Sequence, residues 1–594
     1  MISRQQLISF FKLFYRGFGD YKKQIGILAL LGFFSSLLGG IGITALIPLF
    51  SFITTQGSNG TDIISRTIKE IFLFLGVPLS VRYLLILISL LFILKAIMVL
   101  WSNYISAKIG AEYQETTRNN LYRSMLKAGW PYLLKQKIGH LETVLMTNVK
   151  NCALLLGYIS SIVITISSII VYAFVAINIS VRITLITLIF SIIAFFILQP
   201  LIHRLRRISY EEEKTNRDIA HHINENIVGL KTIKATLVDN QIIQVAENYF
   251  KKLKKITIKS SLLASLGGGF MEPVSLIFII VVFAFSYKTP NFNIIAFAAV
   301  IYLIKQIFSY TQQLQSYFLI LNNLIPYLKN VLILQEQAVE NKEIDAGFSS
   351  FEFKNSLEFK NVAFLYDGKK NILSGMNFEI KKGELIGLIG PSGAGKTTIV
   401  DLILRLFQPT SGEISVDAVN INSIKLSAWR QNIGYVSQDI FLKNDTIANN
   451  IRFYDETISE TEIEEAAKMA NIYDFIIECP DKFETIVGER GVVLSAGQRQ
   501  RIVMARVLVR KPQILILDEA TSALDNESEM QIQKVIENLK NKVTVLVIAH
   551  RLSTIINVDR LLVLADGRIL EEGRPRELLT DNDSYFYKVY NIKK

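Results

Sequence analysis

The sequence predicts a membrane α-helical domain of six long transmembrane helices followed by a soluble α/β P-loop domain. Three observations carry this. Apolar runs long enough to cross a bilayer fill roughly the first 340 of the 594 residues, basic residues crowd only some of the intervals between them, and a glycine-rich phosphate-binding pattern sits between a strand and a helix in the last third. Half of the residues are hydrophobic and the net charge is +12. Such a charge can signal nucleic acid, but here Lys and Arg flank the apolar runs, as at a cytoplasmic membrane face, so no nucleic-acid partner is expected. Cys152 and Cys479 are the two cysteines, which implies neither a disulfide framework nor a thiolate metal site. Residues 1–26 are polar and basic with scattered aromatics, not a cleavable signal peptide.

Residues 1–24 place Leu7, Ile8, Phe10, Phe11, Leu13 and Phe14 among Lys and Arg, the pattern of an interfacial elbow helix. The transmembrane domain, 25–334, holds spans at about 25–54, 82–108, 152–178, 181–204, 261–287 and 292–322. At ~1.5 Å per residue each can cross a ~30 Å hydrocarbon core. Long segments follow spans two and four and carry, among others, Arg118, Arg123, Lys127, Arg204, Arg206, Arg207, Lys251, Lys252, Lys254 and Lys255, whereas the links after spans three and five are short. The positive-inside rule puts those segments and both termini in the cytoplasm, with spans two to five continuing beyond the bilayer as helices. Residues 62–74 read as a short amphipathic helix on the outside. Gly32, Gly39, Gly40 and Gly42 in span one and Gly267, Gly268 and Gly269 in span five read as close-packing or bending sites.

Lys95, Glu272 and Lys305 interrupt spans two, five and six at one depth, ~20 Å from the outer surface on helical rise. Charges there are costly unless paired or facing water. Two readings stand: a Lys–Glu pair that ties helices together, or a cavity that takes substrate. On span six, Lys305, Ser309, Gln312 and Ser316 form one polar face. Two lysines against one glutamate leave a cation over, which favours an anionic substrate group. Residues 335–356, rich in Glu, Gln, Lys and Asn, form a linker to a second domain over 357–594.

In that domain the apolar run Leu385–Ile389 precedes Gly390, Pro391, Ser392, Gly393, Ala394, Gly395, Lys396, Thr397 and Thr398, and a helical run follows. Glycines let backbone N–H groups wrap a phosphate chain, Lys396 reaches the terminal phosphates, and the Thr397 hydroxyl can ligate Mg²⁺. Downstream, Ile514–Leu517 ends in Asp518 and Glu519. Asp518 can hold the Mg²⁺ shell while Glu519 polarises an attacking water.

This pair is joined by Leu494-Ser495-Ala496-Gly497-Gln498, by Ser522-Ala523-Leu524-Asp525, and by His550 at the end of the strand-like run 543–549. Together these motifs resemble an ATP-binding cassette (ABC) transporter half of the exporter class, over essentially the whole chain. The resemblance implies that Tyr366 stacks on the adenine of ATP and that Gln438 senses Mg²⁺ and the membrane domain. It also implies that Ser495, Ala496, Gly497 and Gln498 clamp the ATP of the opposite subunit, that Asp525 lies at the dimer seam, and that His550 holds the γ-phosphate. Glu225, Gly229 and Lys234 match a coupling-helix pattern, and 485–491 resembles the segment that touches the partner's cytoplasmic helices. Ala496 departs from the usual glycine and adds one methyl near the phosphate.

One P-loop and one signature per chain require a second copy, or a paralogue, to complete two ATP sites. Among exporters the chain looks most like bacterial flippases for lipid-linked oligosaccharides, on the external helix and the basic residues in spans two and six. A multidrug or hydrophobic peptide exporter is the alternative. A regulatory membrane protein that uses ATP only as a ligand is a further class, against which the retained Glu519 and His550 stand.

Overall fold

The computed structural model describes residues 12–46, 49, 70, 72–74, 76, 78, 80–197, 199–269, 271–287, 294–366, 371–520, 524–549 and 551–592. The chain divides into two compact units, one of residues 1–128 and 132–342, the other of 129–131 and 343–594.

In the first unit the helices are α1 (Lys22–Thr44), α2 (Val81–Leu126), α3 (Val149–Ile177), α4 (Val181–Ile197), α5 (Gln199–Val228), α6 (Leu230–Thr236), α7 (Asp239–Gly269), α8 (Met271–Ser286) and α9 (Ile294–Glu340). Among the described residues, four helical stretches are long and apolar enough to cross a membrane: Lys12–Thr44, Val81–Leu126, Gly139–Ile177 and Phe297–Glu340. Val181–Ile197 and Glu272–Ser286 are shorter apolar helices. Of the expected elbow helix, residues 1–11 lie outside the described residues and 12–18 are helical. Of the expected outer helix, only 70 and 72–74 are described, and these are helical. Helix α2 continues unbroken far past the expected end of span two, as does α9 past span six.

The glycines of α1 act as close-packing sites. A Cβ on Gly32 would lie 2.8 Å from Ile164 Cγ2, and one on Gly40 would lie 3.2 Å from Val175 Cγ2, so α1 and α3 approach closely along this face. The buried hydroxyls of Ser36 and Ser168 meet at 2.6 Å across the same seam. Other hydroxyls in the apolar helices bond back to their own helix, as Thr184 does to the Ser180 carbonyl and Thr187 to that of Ile183, both at 2.8 Å. That satisfies polar groups where water is absent. Pro200 stands at the second residue of α5 as described and lacks an N–H to donate. The buried Gln315 amide donates at 3.4 Å to the carbonyls of Ala194 and Phe195 at the end of α4. Gly229 precedes the short helix α6, and Leu237 at φ 56° ends it, so the coupling-helix pattern sits on a discrete turn between α5 and α7.

The second unit contains two sheets. The antiparallel one has the order β2-β1-β4-β5, from β1 (Ser356–Phe364), β2 (Leu373–Lys381), β4 (Ser411–Val416) and β5 (Val419–Asn420). The other has the order β10-β9-β3-β8-β7-β6, from β3 (Leu385–Ile389), β6 (Ile433–Val436), β7 (Ile514–Asp518), β8 (Thr544–Ile548), β9 (Arg560–Ala565) and β10 (Arg568–Gly573). It is parallel except for the β9–β10 hairpin. Every residue of β3, β7 and β8 is buried, as continuous apolar runs in a parallel sheet require. Its helices include α10 (Lys396–Ile403), α11 (Leu426–Gln431), α12 (Ile447–Arg452), α13 (Glu460–Met469), α14 (Ala496–Leu508) and α15 (Asn526–Leu539). Trp429 of α11 is fully buried and its indole N–H donates to the Ile403 carbonyl at 2.7 Å, which anchors α11 to the end of α10.

The stretch 335–356 is ordered in two parts. Residues through Glu340 complete α9. Beyond them Glu343 makes a bidentate pair with Arg430 at 2.9 and 2.6 Å, and Asp345 accepts the Leu426 N–H at 2.9 Å at the start of α11. Gly347 lies flat on the chain at Ile424, where a Cβ would come within 2.1 Å of the carbonyl oxygen. A side chain at this position therefore displaces the segment. Gly347→Val is expected to speed tryptic cleavage of the full-length protein at Lys342 and Lys354, and an unchanged cleavage rate would show that the clasp is dispensable.

Candidate functional site

Strand β3 lies beside β8, and β8 beside β7, in a register that sets Leu388 opposite Ile548 and Ile548 opposite Asp518. Because the strands are parallel, the segments that follow all three leave the sheet at one edge. These are the loop 390–395, the residues Asp518 and Glu519, and the segment after β8. His550 belongs to that segment and, with Ser522 and Ala523, lies outside the described residues.

The loop is a cradle built by backbone conformation. Gly390 has φ 155°, and a Cβ there would stand 2.1 Å from the Leu564 carbonyl oxygen; Gly393 has φ 81° and faces open space. Gly395, at φ 103°, precedes α10 and points the helix N-terminus at the cradle. Pro391 and Ser392 are exposed on its rim, and Ala394 is buried beneath it. Lys396 is 7% exposed, and its ammonium donates to the carbonyls of Gly390 at 2.9 Å and Pro391 at 3.0 Å. Burial pulls its pKa below the usual lysine value, against the nearby charges of Glu519 and Asp518. A buried cation folded back over a cradle of left-handed glycines fits a triphosphate.

Thr397 is exposed toward solvent, whereas Thr398 is buried and shares a 3.3 Å hydrogen bond with the Tyr366 hydroxyl. The Tyr366 ring meets Phe364 and Phe407 edge-on at 4.7 and 5.2 Å. Tyr366 is thus anchored beside the P-loop helix, as an adenine-stacking ring needs to be.

Glu519 adopts a left-handed backbone, φ 49°, that non-glycine residues rarely take. Its N–H donates to Ile548 O at 3.0 Å, and the Gln438 amide donates to its Oε2 at 2.7 Å. Strain of this kind concentrates at functional sites. Buried Asp518 stands next to Glu519 at the strand end. Thr397, Asp518 and Gln438 each carry a side-chain oxygen of the kind that Mg²⁺ prefers as a ligand.

The signature residues form a second, separate feature. Ser495 caps α14, accepting the Gln498 N–H at 3.2 Å while its own N–H donates to Gln498 Oε1 at 2.8 Å. This capping box fixes the helix N-terminus and its positive dipole end. Ala496 is the first residue of α14 and is partly exposed; Gly497 is buried against α15, where a Cβ would strike Ser528 Oγ at 2.2 Å. Asp525 caps α15, and its hydrogen bond with Ser528 holds its pKa below the usual carboxylate value.

Three groups escaped the reading of the sequence. Asp401 of α10 is pushed up to about 6 by burial and then by the charge of Asp518. Burial first, and Asp518 second, raise the pKa of the Tyr435 hydroxyl. Glu529 and Arg551 form an ion pair next to the segment that carries His550. The available signal for the last was spacing alone: Arg551 directly follows His550, and Glu529 lies one helical turn past Asp525.

In the membrane unit, a Cβ on Gly39 would lie 2.8 Å from Lys95 Nζ and 2.8 Å from the Tyr172 hydroxyl. Lys95 and Tyr172, on α2 and α3, therefore converge over α1 at a point only glycine leaves open. Tyr172 packs on Tyr310 at 5.5 Å, and Tyr302 of the same helix accepts a hydrogen bond from Gln306. Lys305 and Glu272 are exposed, and among the described residues no ion pair joins Glu272 to Lys95 or Lys305.

Two outcomes follow from this geometry. Asp401 binds its proton more tightly folded than unfolded, so its contribution to stability is present near pH 4 and is lost as pH rises through about 6. Asp401→Asn should flatten that part of the pH dependence of thermal unfolding, and an unaltered slope would contradict the assignment. Gly390→Ala should abolish binding of a fluorescent ATP analogue, because the added methyl collides with the Leu564 carbonyl; retained affinity would count against the cradle.

A family profile described as ABC transporter matches residues 373–522, and one described as ABC transporter transmembrane region matches residues 25–321, half of the chain. The ATP-dependent lipid A-core flippase of Syntrophus aciditrophicus is 32% identical over 500 residues, which cover 82% of this chain and 81% of that protein. ATP-binding cassette sub-family B member 5 of Homo sapiens is 45% identical over 253 residues, 42% of this chain, and the chain spans about a fifth (20%) of that relative's length. The solved structure of a bacterial Atm1-family ABC exporter with ATP bound matches with a TM-score of 0.79 at 23% identity, covering 97% of this chain and 99% of that one, a likeness of fold. The chain belongs to the ABC transporters and joins the family's transmembrane region and nucleotide-binding domain in one polypeptide.

Proposed function

We propose that the protein is an ATP-driven exporter of the flippase kind, which moves an amphipathic, anionic lipid-linked substrate from the cytoplasmic to the outer side of a bacterial-type inner membrane. The observation that carries the ATPase half is the convergence of Lys396, Asp518, Glu519 and Gln438 at one sheet edge. Lys396 leaves its carbonyl partners for the terminal phosphates. Gln438 orients the Glu519 carboxylate, and Glu519 accepts a proton from the attacking water. When bound through Thr397, Asp518 and Gln438, Mg²⁺ supplies neutralisation of phosphate charge. Tyr366 stacks on the base, and His550 holds the γ-phosphate.

Ser495, Ala496, Gly497 and Gln498 face the nucleotide of a second copy, whose own signature completes the first site, with Asp525 at the seam. A homodimer with both termini cytoplasmic satisfies this arrangement; a paralogue in place of the second copy is the alternative. The substrate half rests on Lys95 and Tyr172 converging over Gly39. A cation with a phenol beside it, inside apolar helices, suits the phosphate of a lipid head group while the tail stays in hydrocarbon. That no ion pair among the described residues joins Glu272 to Lys95 or Lys305 favours a cavity role for the two lysines over a tie between helices. The lipid A-core flippase relative handles, by its name, a substrate of this class.

In proteoliposomes, Glu519→Gln should lower ATP turnover on the order of 10²–10⁴-fold while ATP binding persists. Undiminished turnover would remove Glu519 from its role. Lys95→Ala combined with Tyr172→Phe should cut translocation of a fluorescent lipid-linked sugar phosphate, and full translocation by the double variant would overturn the anionic cargo.

A further inference from the structure

We infer that Glu529 is a positioning residue that locks the segment carrying His550 to the loop carrying Asp525. The inference rests on the proposed ATP hydrolysis. Glu529 is 5% exposed, and a carboxylate at that depth is costly unless several donors reach it. They do. The Arg551 guanidinium pairs with Glu529 Oε2, and the Ser553 hydroxyl donates to Oε1. Thr554 Oγ1 and Gln533 Nε2 approach Oε1 at 3.4 and 3.3 Å. Arg551 spends another nitrogen on the Leu524 carbonyl, at 2.8 Å, one residue before Asp525.

Residues 551–554 are therefore bolted to 524–529 at two points, through one carboxylate and one guanidinium. On the near side, β8 is held to Glu519 by the bond from Glu519 N–H to Ile548 O. On the far side, Ser528 N–H donates to the Asp525 cap, and Ser528 fills the only space a side chain at Gly497 would occupy. Glu519, β8, residues 551–554, Asp525 and the start of the signature helix are thus joined by successive contacts, and Glu529 is the charge among them. The chemistry explains why a carboxylate is needed. It accepts from four donors, one of them cationic, whereas an amide offers one acceptor oxygen, adds two donors of its own and leaves Arg551 without a counter-charge.

A residue that merely cements the fold would lower thermal stability and nucleotide affinity together with turnover. A positioning residue lowers turnover while those are held. The full-length protein in lipid vesicles is the material for the test, as wild type, Glu529→Gln, Arg551→Lys, and the double variant Glu529→Gln with Arg551→Gln, in which neutral amides replace the buried ion pair. ATP hydrolysis is followed against ATP concentration, with melting temperature and binding of a fluorescent ATP analogue measured in parallel.

For Glu529→Gln, kcat should fall at least about tenfold with KM for ATP within about threefold of wild type. The double variant should melt like wild type yet remain slow. Arg551→Lys, which keeps the charge but loses the second bond to Leu524, should lose kcat by several fold and serves if Glu529→Gln does not fold. Wild-type kcat in folded Glu529→Gln or in Arg551→Lys would overturn the inference, as would recovery of kcat along with stability in the double variant. Absence of turnover in the wild type would overturn the hydrolysis reading itself, and the inference with it.

Discussion

Backbone pairing among β3, β8 and β7 is the constraint on which the nucleotide-binding unit depends. Three fully buried strands leave almost no freedom of register, because a slip by one residue would carry polar neighbours into the core. Once Leu388, Ile548 and Asp518 are level, the phosphate cradle, the paired carboxylates and the segment after β8 must emerge side by side. The side chains then refine what the sheet has placed, as Gln438 does for Glu519 and Tyr366 does through Thr398.

Function costs the domain local strain and buried charge, and the structure shows where each is offset. The left-handed Glu519 is held by a ladder bond to the neighbouring strand. Lys396, with few solvent contacts, turns to two carbonyls of its own loop. Glu529 gathers four donors around one carboxylate. All three groups lie in the nucleotide-binding unit, and strained and desolvated residues tend to cluster at sites of chemistry.

The membrane unit answers a different demand. Without water, backbone groups must be satisfied within the helices, hydroxyls bond to their own turns, and packing relies on small residues instead of hydrophobic burial. Gly32 and Gly40 let α1 and α3 meet, and the same close approach brings Gly39 under Lys95 and Tyr172. The glycines that make the helices pack are thus also what exposes a cation to a shared point. The contacts across 343–349, where Glu343 and Asp345 hold α11 and Gly347 lies against Ile424, make this part of the expected linker an edge of the nucleotide-binding unit.

By itself the sequence determined the two architectures, the apolar runs and the order of the nucleotide motifs. Those signals are contiguous: a run of twenty apolar residues, or Gly390 through Thr398, carries its meaning without reference to distant positions. Tertiary structure alone decided the rest. Gly39, Lys95 and Tyr172 come from three helices, Glu529 and Arg551 from two elements separated by a strand, and the lack of a side chain at Gly347 matters only where Ile424 lies against it. Periodicity reports which face of an element is buried but never against what, so a partner that is remote along the chain stays invisible until the backbone has folded.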